Sequence, residues 1–572
     1  MQSGCAGSSG TRAGVAVAAL TLAALTTTPV PAQPARTWVF FSDRAHLTAD
    51  AQAFSRAAAR LDPRTLARRA ARGVAGAPLV GEHDLDVAAE YVAAIEATGA
   101  QIYRPSRWLN AVSVVATPAQ LERIRTLPFV RGTTPVARAA YRGAGPEPGV
   151  VVAAPEPPRG RDLYGHTAAH LAQIDLPGLH AAGFTGVGVV IGVLDTGFKR
   201  THVAFNAPGR PLRVRAEYDF VDNDANAGPE PGDPWGAAAH GTRVLSLLAG
   251  YAPYEFVGAA FDAEYILCRT EDPYAEYPGE EDNFVAALEF VEAHGGDVVS
   301  SSLGYIDWYS QEQLDGRTAV TTRAVNLATA LGLHVCTAAG NGGHDADPAT
   351  SRLVAPADAF HAVACGAVTA DGTTATFSSD GPTADGRVKP EVLAGGHRVV
   401  TASPWDDFGY NAASGTSFAT PLIAGAVACI VQAHPDWPPA RLRTALMLSA
   451  SDWLATGRPD PLQIRGYGII AARAAATDCN VNGLPDVYEV RTGAATDGDG
   501  DGQPDECQVG LGDLDCDGAV DFDDVAAFVL ALTNPAAYQA AHPDCQPARA
   551  DCNGDGVVNF DDIDAFVARL AG

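Results

Sequence analysis

The sequence predicts an α/β chain built on a parallel sheet with helices on both faces. Three observations carry this. Between residues 163 and 476, short continuous apolar runs alternate with helical stretches. Strands buried on both faces read as such runs, and crossover helices separate parallel neighbours. Chemistry-bearing tripeptides stand at the ends of those runs. Finally, the chain has 572 residues, which at about 150 per domain leaves room for smaller units on either side of the block.

Arg12 precedes an apolar stretch at 13–25, and Val30-Pro31-Ala32 supplies a small-x-small cleavage site, so residues 1–32 read as an export signal. The stretch is too short to span a bilayer, and no later run reaches the length of a spanning helix. A secreted or extracellular protein, with no transmembrane segment and possible cell-surface association, is expected. Residues 33–140 form a small α+β pattern: a strand at 38–41, an Arg-rich helical stretch at 55–72, a helix at 88–98 stopped by Gly99, a strand at 111–116, a helix at 118–127 and a strand beginning at 129. Residues 141–162 are rich in Pro and Gly and read as a linker.

Within 163–476, strands are expected at 188–194, 265–268, 298–301, 334–338 and 362–366, and helices at 283–294 and 321–331. The tail, 477–572, is different. Residues 478–572 hold 20 acidic and 3 basic residues, most of a net charge of −28. A duplex nucleic-acid binder needs a basic footprint, so no nucleic-acid partner is expected. The tail repeats itself at an offset of 38: Asp513 to Asp524 matches Asp551 to Asp562, and each copy runs into a short helix.

Cysteines divide the same way. Cys268, Cys336, Cys365 and Cys429 sit in apolar runs and read as buried thiols. Cys479, Cys507, Cys516, Cys545 and Cys552 lie in the tail, where export permits disulfides. Their odd number leaves at least one unpaired or intermolecular, and the connectivity is open.

Three signatures in the α/β block carry chemistry: Asp195-Thr196-Gly197 closing a strand, His240-Gly241-Thr242 opening a helix, and Gly415-Thr416-Ser417-Phe418-Ala419-Thr420-Pro421 leading into a helix. A serine hydroxyl is a poor nucleophile unless a base takes its proton. Histidine does that and returns the proton to a leaving amine. A buried carboxylate fixes the imidazole tautomer. A D-T-G tripeptide also marks aspartic proteases, but those need two such loops, and one occurs here.

The order Asp, His, Ser, with Ala338-Ala339-Gly340-Asn341, Ser302-Leu303-Gly304 and Gly466-Tyr467-Gly468-Ile469-Ile470, resembles the subtilisin-like serine peptidases (subtilases) over 163–476. The resemblance implies a subtilisin-like fold and a serine endopeptidase working through an acyl-enzyme. The triad would be Asp195, His240 and Ser417, with Asn341 in the oxyanion hole. Substrate would bind along Ser302, Leu303, Gly304, Ala338, Ala339 and Gly340, and the chemical step would need no cofactor. Residues 33–140 resemble the family's inhibitory propeptide, removed on maturation, with a retained accessory domain as the alternative. Glu271, Asp272, Glu276, Glu280 and Glu281 crowd the segment where the family builds its P2–P4 rim. They would either favour basic residues on a polypeptide substrate or form a solvated face. The alternative function is a catalytically silent scaffold acting in adhesion.

Four tail windows have calcium-loop spacing, with Asp or Asn at positions 1, 3 and 5, Gly at 6 and, except in the second, whose twelfth residue is Gln508, a carboxylate at 12. The first is Asp478, Asn480, Asn482, Asp486 and Glu489. The second is Asp497, Asp499, Asp501 and Asp505. The third is Asp513, Asp515, Asp517 and Asp524, and the fourth Asp551, Asn553, Asp555 and Asp562. The first two (477–509) resemble thrombospondin type 3-like repeats, on the expectation that no helix flanks them. The last two (510–572) resemble a dockerin-type pair of EF-hand loops. The resemblance implies bound Ca2+ and a cohesin-like or cell-surface partner.

Overall fold

The computed structural model describes residues 35–136, 162–272, 280–306, 309–480, 482–497, 503–504, 507, 510–543, 545–554 and 557–570. The predicted export signal and nearly all of the predicted linker lie outside these residues.

The N-terminal domain is a four-stranded sheet with helices. Its elements are β1 (Ala35–Phe41), α1 (Ala51–Ala59), α2 (Pro63–Arg72), α3 (Ala89–Glu96), β2 (Gln101–Ser106), β3 (Ala111–Ala116), α4 (Pro118–Arg125) and β4 (Val130–Pro135). The sheet order is β2-β3-β1-β4, antiparallel at each pairing. Asp62 caps α2, accepting from Arg64 N–H at 2.8 Å, with Pro63 at the first helical position. That proline lacks an N–H where none is needed.

The α/β domain is built on seven parallel strands: β5 (Val190–Asp195), β6 (Val214–Asp219), β7 (Glu264–Arg269), β8 (Val298–Ser301), β9 (His334–Ala338), β10 (Val363–Val368) and β11 (Val392–Gly395), in the order β11-β10-β9-β8-β5-β7-β6. The sequence reading missed β6 and β11. β6 is half exposed at the sheet edge and carries Arg215 and Glu217, so it shows no apolar run. Helices α5 (Ala239–Ala249), α6 (Glu281–Ala293), α7 (Val320–Ala330) and α8 (Thr416–Ala433) supply the crossovers and cover. One apolar cluster, with Val193, Val244 and Leu422, lies on one face; another, with Leu194, Phe284 and Val325, lies on the other.

Helix α8 is long and apolar enough to cross a membrane by length and composition alone, but it is almost wholly buried in the first cluster. The four predicted thiols are free and buried.

The tail packs around Leu514, Phe528, Tyr538 and Phe566. Cys479 pairs with Cys507 and Cys516 with Cys545, leaving Cys552 as a buried free thiol. One expectation fails. A helix, α11 (Asp486–Thr492 once α9, Pro439–Leu448, and α10, Ala472–Ala476, are counted), starts inside the first calcium-type window. Pro485 precedes it, Asp486 and Glu489 occupy its first turn, and Gly493 ends it in a left-handed conformation, which is a complete set of helix signals. In the last pair, α12 (Asp524–Thr533) and, after it, α14 (Ile563–Leu570) follow as the repeats predict, while α13 (Pro535–Ala541), with Pro535 at its first position and Asn534 as its cap, was not foreseen.

Candidate active site

In a parallel sheet, crossover helices run against the strands. Helix N-termini and strand C-termini therefore meet along one edge, where ligands of open α/β sheets bind. Asp195 is the last residue of β5, and His240 and Ser417 are the second residues of α5 and α8. Asn341 follows β9, and Ser302 follows β8.

Asp195 is wholly buried. Its Oδ1 accepts from Thr196 N–H at 2.7 Å and lies 2.7 Å from His240 Nδ1. The start of α5 comes this close because residue 241 is glycine: a Cβ there would fall 2.3 Å from the Gly197 carbonyl oxygen. The His240 ring lies 5.8 Å, centroid to centroid, from Phe418, the neighbour of Ser417. Ser417 is nearly buried. Its hydroxyl donates to the Ser302 carbonyl at 3.2 Å, and the Ser302 hydroxyl donates to the Ser417 carbonyl at 2.8 Å. The start of α8 is thus stitched to the segment after β8.

Asn341 is oriented by the same helix start. Its Oδ1 accepts from Thr416 N–H at 2.9 Å and from the Thr416 hydroxyl at 3.0 Å. The amide nitrogen is left facing Gly415, where a Cβ would lie 3.6 Å from it. With the N–H groups and partial positive charge of the first turn of α8, the edge presents fixed donors beside Ser417.

The predicted substrate-binding residues are small for a packing reason. A Cβ on Gly304 would lie 2.2 Å from Val354 Cγ2, and one on Gly340 (φ +119°) would lie 2.7 Å from Ser379 Oγ. Ala338 and Ala339 are buried, Leu303 and Ser302 nearly so. The sequence reading missed an aromatic feature on the histidine side. Trp235 and Trp405 stack at 4.2 Å, and Arg243, one helical turn after His240, lies over Trp405. Isolated tryptophans 170 residues apart give no signal in a sequence.

The acidic run is not one solvated face. Glu271 is buried and accepts from the Tyr305 hydroxyl at 2.5 Å. Burial, then neighbouring Glu280, pushes its carboxyl well above the usual carboxylate range. Glu281 is wholly buried and accepts from Tyr309 OH at 2.7 Å and Trp38 Nε1 at 3.3 Å. Glu276 lies outside the described residues.

In the tail, carboxylate oxygens of Asp513, Asp515 and Asp517 lie within 4.8 Å of one another. Gly518, the sixth position, has φ +93°, and Asp524, the twelfth, is buried and accepts from Leu514 N–H at 2.5 Å. These donors fit a hard cation such as calcium. The first window brings Glu489 to Asn480 and Asn482 (Nδ2 to carboxylate 3.1 and 2.5 Å), with Gly483 at φ +99° and Asp478 paired with Arg441. Cys479, Asp486 and Cys507 also converge, but both sulfurs are spent in the disulfide. In the fourth window Asp562 accepts from Asn553 N–H at 3.1 Å, following Asp551. Asp499, Asp501, Asp505 and Asp555 lie outside the described residues, and Asp497 is the last residue of a described segment.

Comparison with known proteins agrees with this architecture. The model of the subtilase family matches residues 186–468, and that of a peptidase S8 propeptide domain of Bacteroidota matches 36–145. Over 282 residues, 49% of this chain, it is 30% identical to subtilisin E of Bacillus subtilis (strain 168) and to a subtilisin of Bacillus pumilus, covering 65% and 90% of those proteins. Alkaline serine exoprotease A of Vibrio alginolyticus is 29% identical over 291 residues, 50% of this chain and 47% of that protein. The match thus spans about two thirds or less of several relatives' length. In fold, the chain is similar to the crystal structure of fervidolysin from Fervidobacterium pennivorans, a keratinolytic enzyme related to subtilisin, with a TM-score of 0.51 at 20% identity, covering 78% of this chain and 61% of that one. The chain belongs to the subtilase family.

Proposed function

We propose that the chain is a secreted serine endopeptidase made as a preproprotein. Residues 1–32 direct export, 33–140 act as an inhibitory propeptide joined by the linker 141–162, and 163–476 cleave polypeptides. Residues 477–509 and 510–572 form a calcium-binding tail. The observation that carries the reading is the meeting of Asp195, His240, Ser417 and Asn341 on one edge of one sheet.

The residues divide the work as follows. The Ser417 hydroxyl exchanges the Ser302 carbonyl for His240 Nε2, gives up its proton there and attacks the substrate carbonyl. Asp195, at Nδ1, holds the tautomer and stabilises the imidazolium. The oxyanion accepts from the Asn341 amide and the Ser417 backbone N–H, donors already in place when the charge develops. The C–N bond breaks as His240 protonates the leaving amine. Water, deprotonated by His240, then hydrolyses the acyl-serine ester. The backbone after β8 and β9, from Ser302 to Gly304 and Ala338 to Gly340, lines the substrate strand.

For the tail, the third window supports calcium binding best; the ion would neutralise Asp513, Asp515 and Asp517 and order the loop. Docking of this module onto a cohesin-like or cell-surface partner is supported by its surface. Phe522 and Phe560 are 81% and 68% exposed, and Val529 and Val567 are exposed beside them, at equivalent positions of the two repeats. Exposed apolar groups clustered this way mark interaction sites.

A fluorophosphonate probe tests the catalytic reading. It should label the unmodified chain and leave folded Ser417→Ala unlabelled. A folded, unmodified, mature chain that takes no label would sink it.

A further inference from the structure

The N-terminal domain meets the α/β domain twice. Its sheet lies on α6. Arg36 pairs with Asp282 at 3.1 Å, the Ser113 hydroxyl donates to Asp282 at 2.6 Å, and that of Ser106 donates to Glu289 at 2.7 Å. The second meeting is made by α2 at the opposite edge of the seven-stranded sheet from Ser417.

The topology explains what α2 finds there. Because α6, α7 and α8 run against the strands, their C-termini gather at the amino edge. The last carbonyls of a helix have no partner within it, and that end carries partial negative charge. Helix α2 offers Arg64, Arg68 and Arg72 at four-residue intervals, on one face. Arg68 donates to Glu292 Oε1 at 2.6 Å and to the carbonyls of Gly296 and, at 3.4 Å, Leu331, just past α6 and α7. Arg72 Nε donates to the Pro435 carbonyl, past α8, at 2.6 Å, and Nη1 pairs with Asp297 at 3.2 Å. Arg64 pairs with Asp297 and reaches the Gly188 carbonyl at 2.9 Å. Arg69 donates to Glu292 at 2.8 Å and the Thr65 hydroxyl to the Glu292 carbonyl at 2.5 Å. Asp297 in turn accepts from Val190 N–H, at the start of β5, at 3.1 Å. Arg68, Arg69, Arg72, Glu292 and Asp297 are all buried.

Groups at or just past three helix ends and at two strand starts are therefore met by the N-terminal domain, through these side chains and through the Asp62 and Val74 N–H groups, which donate to the Ala293 and Ala330 carbonyls. The guanidinium fork suits this task, since it satisfies carbonyls and carboxylates together. We propose that α2 is a self-standing anchor. It keeps the N-terminal domain on the α/β domain after the chain between them is cut, and release requires α2 to leave the amino edge as well as the sheet to leave α6. The surface it covers, at 292–297, 330–332 and 435, is then a binding surface for a helix bearing arginines at four-residue spacing. The proposal rests on reading 33–140 as a separable domain and does not depend on catalysis.

The test uses the full chain as Ser417→Ala, with the recognition site of an added sequence-specific protease placed in 141–162. After cutting, the N-terminal fragment should co-elute with the α/β domain in gel filtration. Removing one side of a buried ion pair leaves the other uncompensated, so Arg68→Gln with Arg72→Gln should speed dissociation by about 100-fold. Arg104→Gln, at the sheet face, loses bonds to the neutral groups of Asn283, Phe220 and Asn223 and strips no charge of its direct partner, so it should leave the anchor holding and speed release by about tenfold at most. A double-arginine variant that holds its fragment as long as the parent overturns the proposal. So does immediate release of a folded fragment from the cut parent; release of an unfolded one sinks the separable-domain reading as well. If the double-arginine chain does not fold, hydrogen exchange on the cut parent decides. The amides of Asp62 and Val74 donate across the interface to the Ala293 and Ala330 carbonyls at 2.9 and 3.2 Å; protection of both as before cutting supports the anchor, and loss of it overturns the proposal.

Discussion

Two charge clusters in this chain are built to opposite specifications. At the amino edge of the large sheet, Glu292 and Asp297 are met by Arg64, Arg68, Arg69 and Arg72. In the tail, Asp513, Asp515 and Asp517 converge with one guanidinium, that of Arg549, 2.9 Å from Asp513. The first cluster has cations enough to be buried. In the second, anions outnumber the cation, and Asp515 and Asp517 reach solvent beside the buried Asp513, so repulsion is softened and not removed. At the amino edge the α/β domain and its N-terminal partner thus pair their own charges. The tail leaves room for a divalent ion.

If the α/β domain is self-sufficient, the largest effects come from atoms within it. Ser417→Ala should lower kcat by about a millionfold, the size known for the serine of subtilisin itself. Peptide hydrolysis by the purified, folded variant measures this, and a loss of less than a hundredfold would mean another nucleophile. The same variant should keep residues 33–140 while the unmodified chain loses them. Identical mature N-termini in both would exclude self-processing. Asn341→Ala comes next. It removes one donor from a prepared hole, and the loss in kcat should be about 100- to 1,000-fold with KM little changed, again the size known for subtilisin. A KM effect alone would make Asn341 a scaffold for Thr416.

The convergence of Asp195, His240, Ser417 and Asn341 on one edge was legible in the sequence because each sits in a short signature at a strand or helix end. The arginine anchor was not. Residues 55–72 show an Arg-rich helical pattern, but what Arg68 needs, Glu292, stands 224 residues away, and no local pattern connects them. The acidic run misled for the same reason. Glu281 reads as a surface charge until Trp38 and Tyr309 arrive from distant segments to bury it. Sequence likewise hid α11, because calcium-loop spacing and helix-start signals overlap at Asp486.

The tail should respond where the α/β domain does not. With calcium at about 100 times its dissociation constant, a site present only in the folded module gains about 2.7 kcal/mol. Circular dichroism of the full chain should show the melting of the tail moving up with calcium and back with chelator, while peptidase activity stays within about twofold at 25 °C, where the α/β domain is folded in either case. No shift on calcium addition would make the windows an acidic spacer.

The smallest expected effect separates the two specifications within one loop. Arg549 Nη1 donates to Asp513 Oδ2 at 2.9 Å and to the Asp513 carbonyl at 3.2 Å. A calcium ion in the loop competes with that guanidinium for the first-position carboxylate, and two cations a few ångströms apart repel by about 1 kcal/mol in a wet environment. Replacing the charge, as Arg549→Met, frees an oxygen and removes the repulsion. Calcium should then bind about five- to tenfold more tightly at the third window, read by calorimetry with the fourth window disabled as Asp562→Asn. The opposite sign is equally informative. Weaker binding would mean that the bond to the Asp513 carbonyl shapes the loop, so that Arg549 serves the tail as Arg68 serves the amino edge, by completing a structure and not by standing in for an ion.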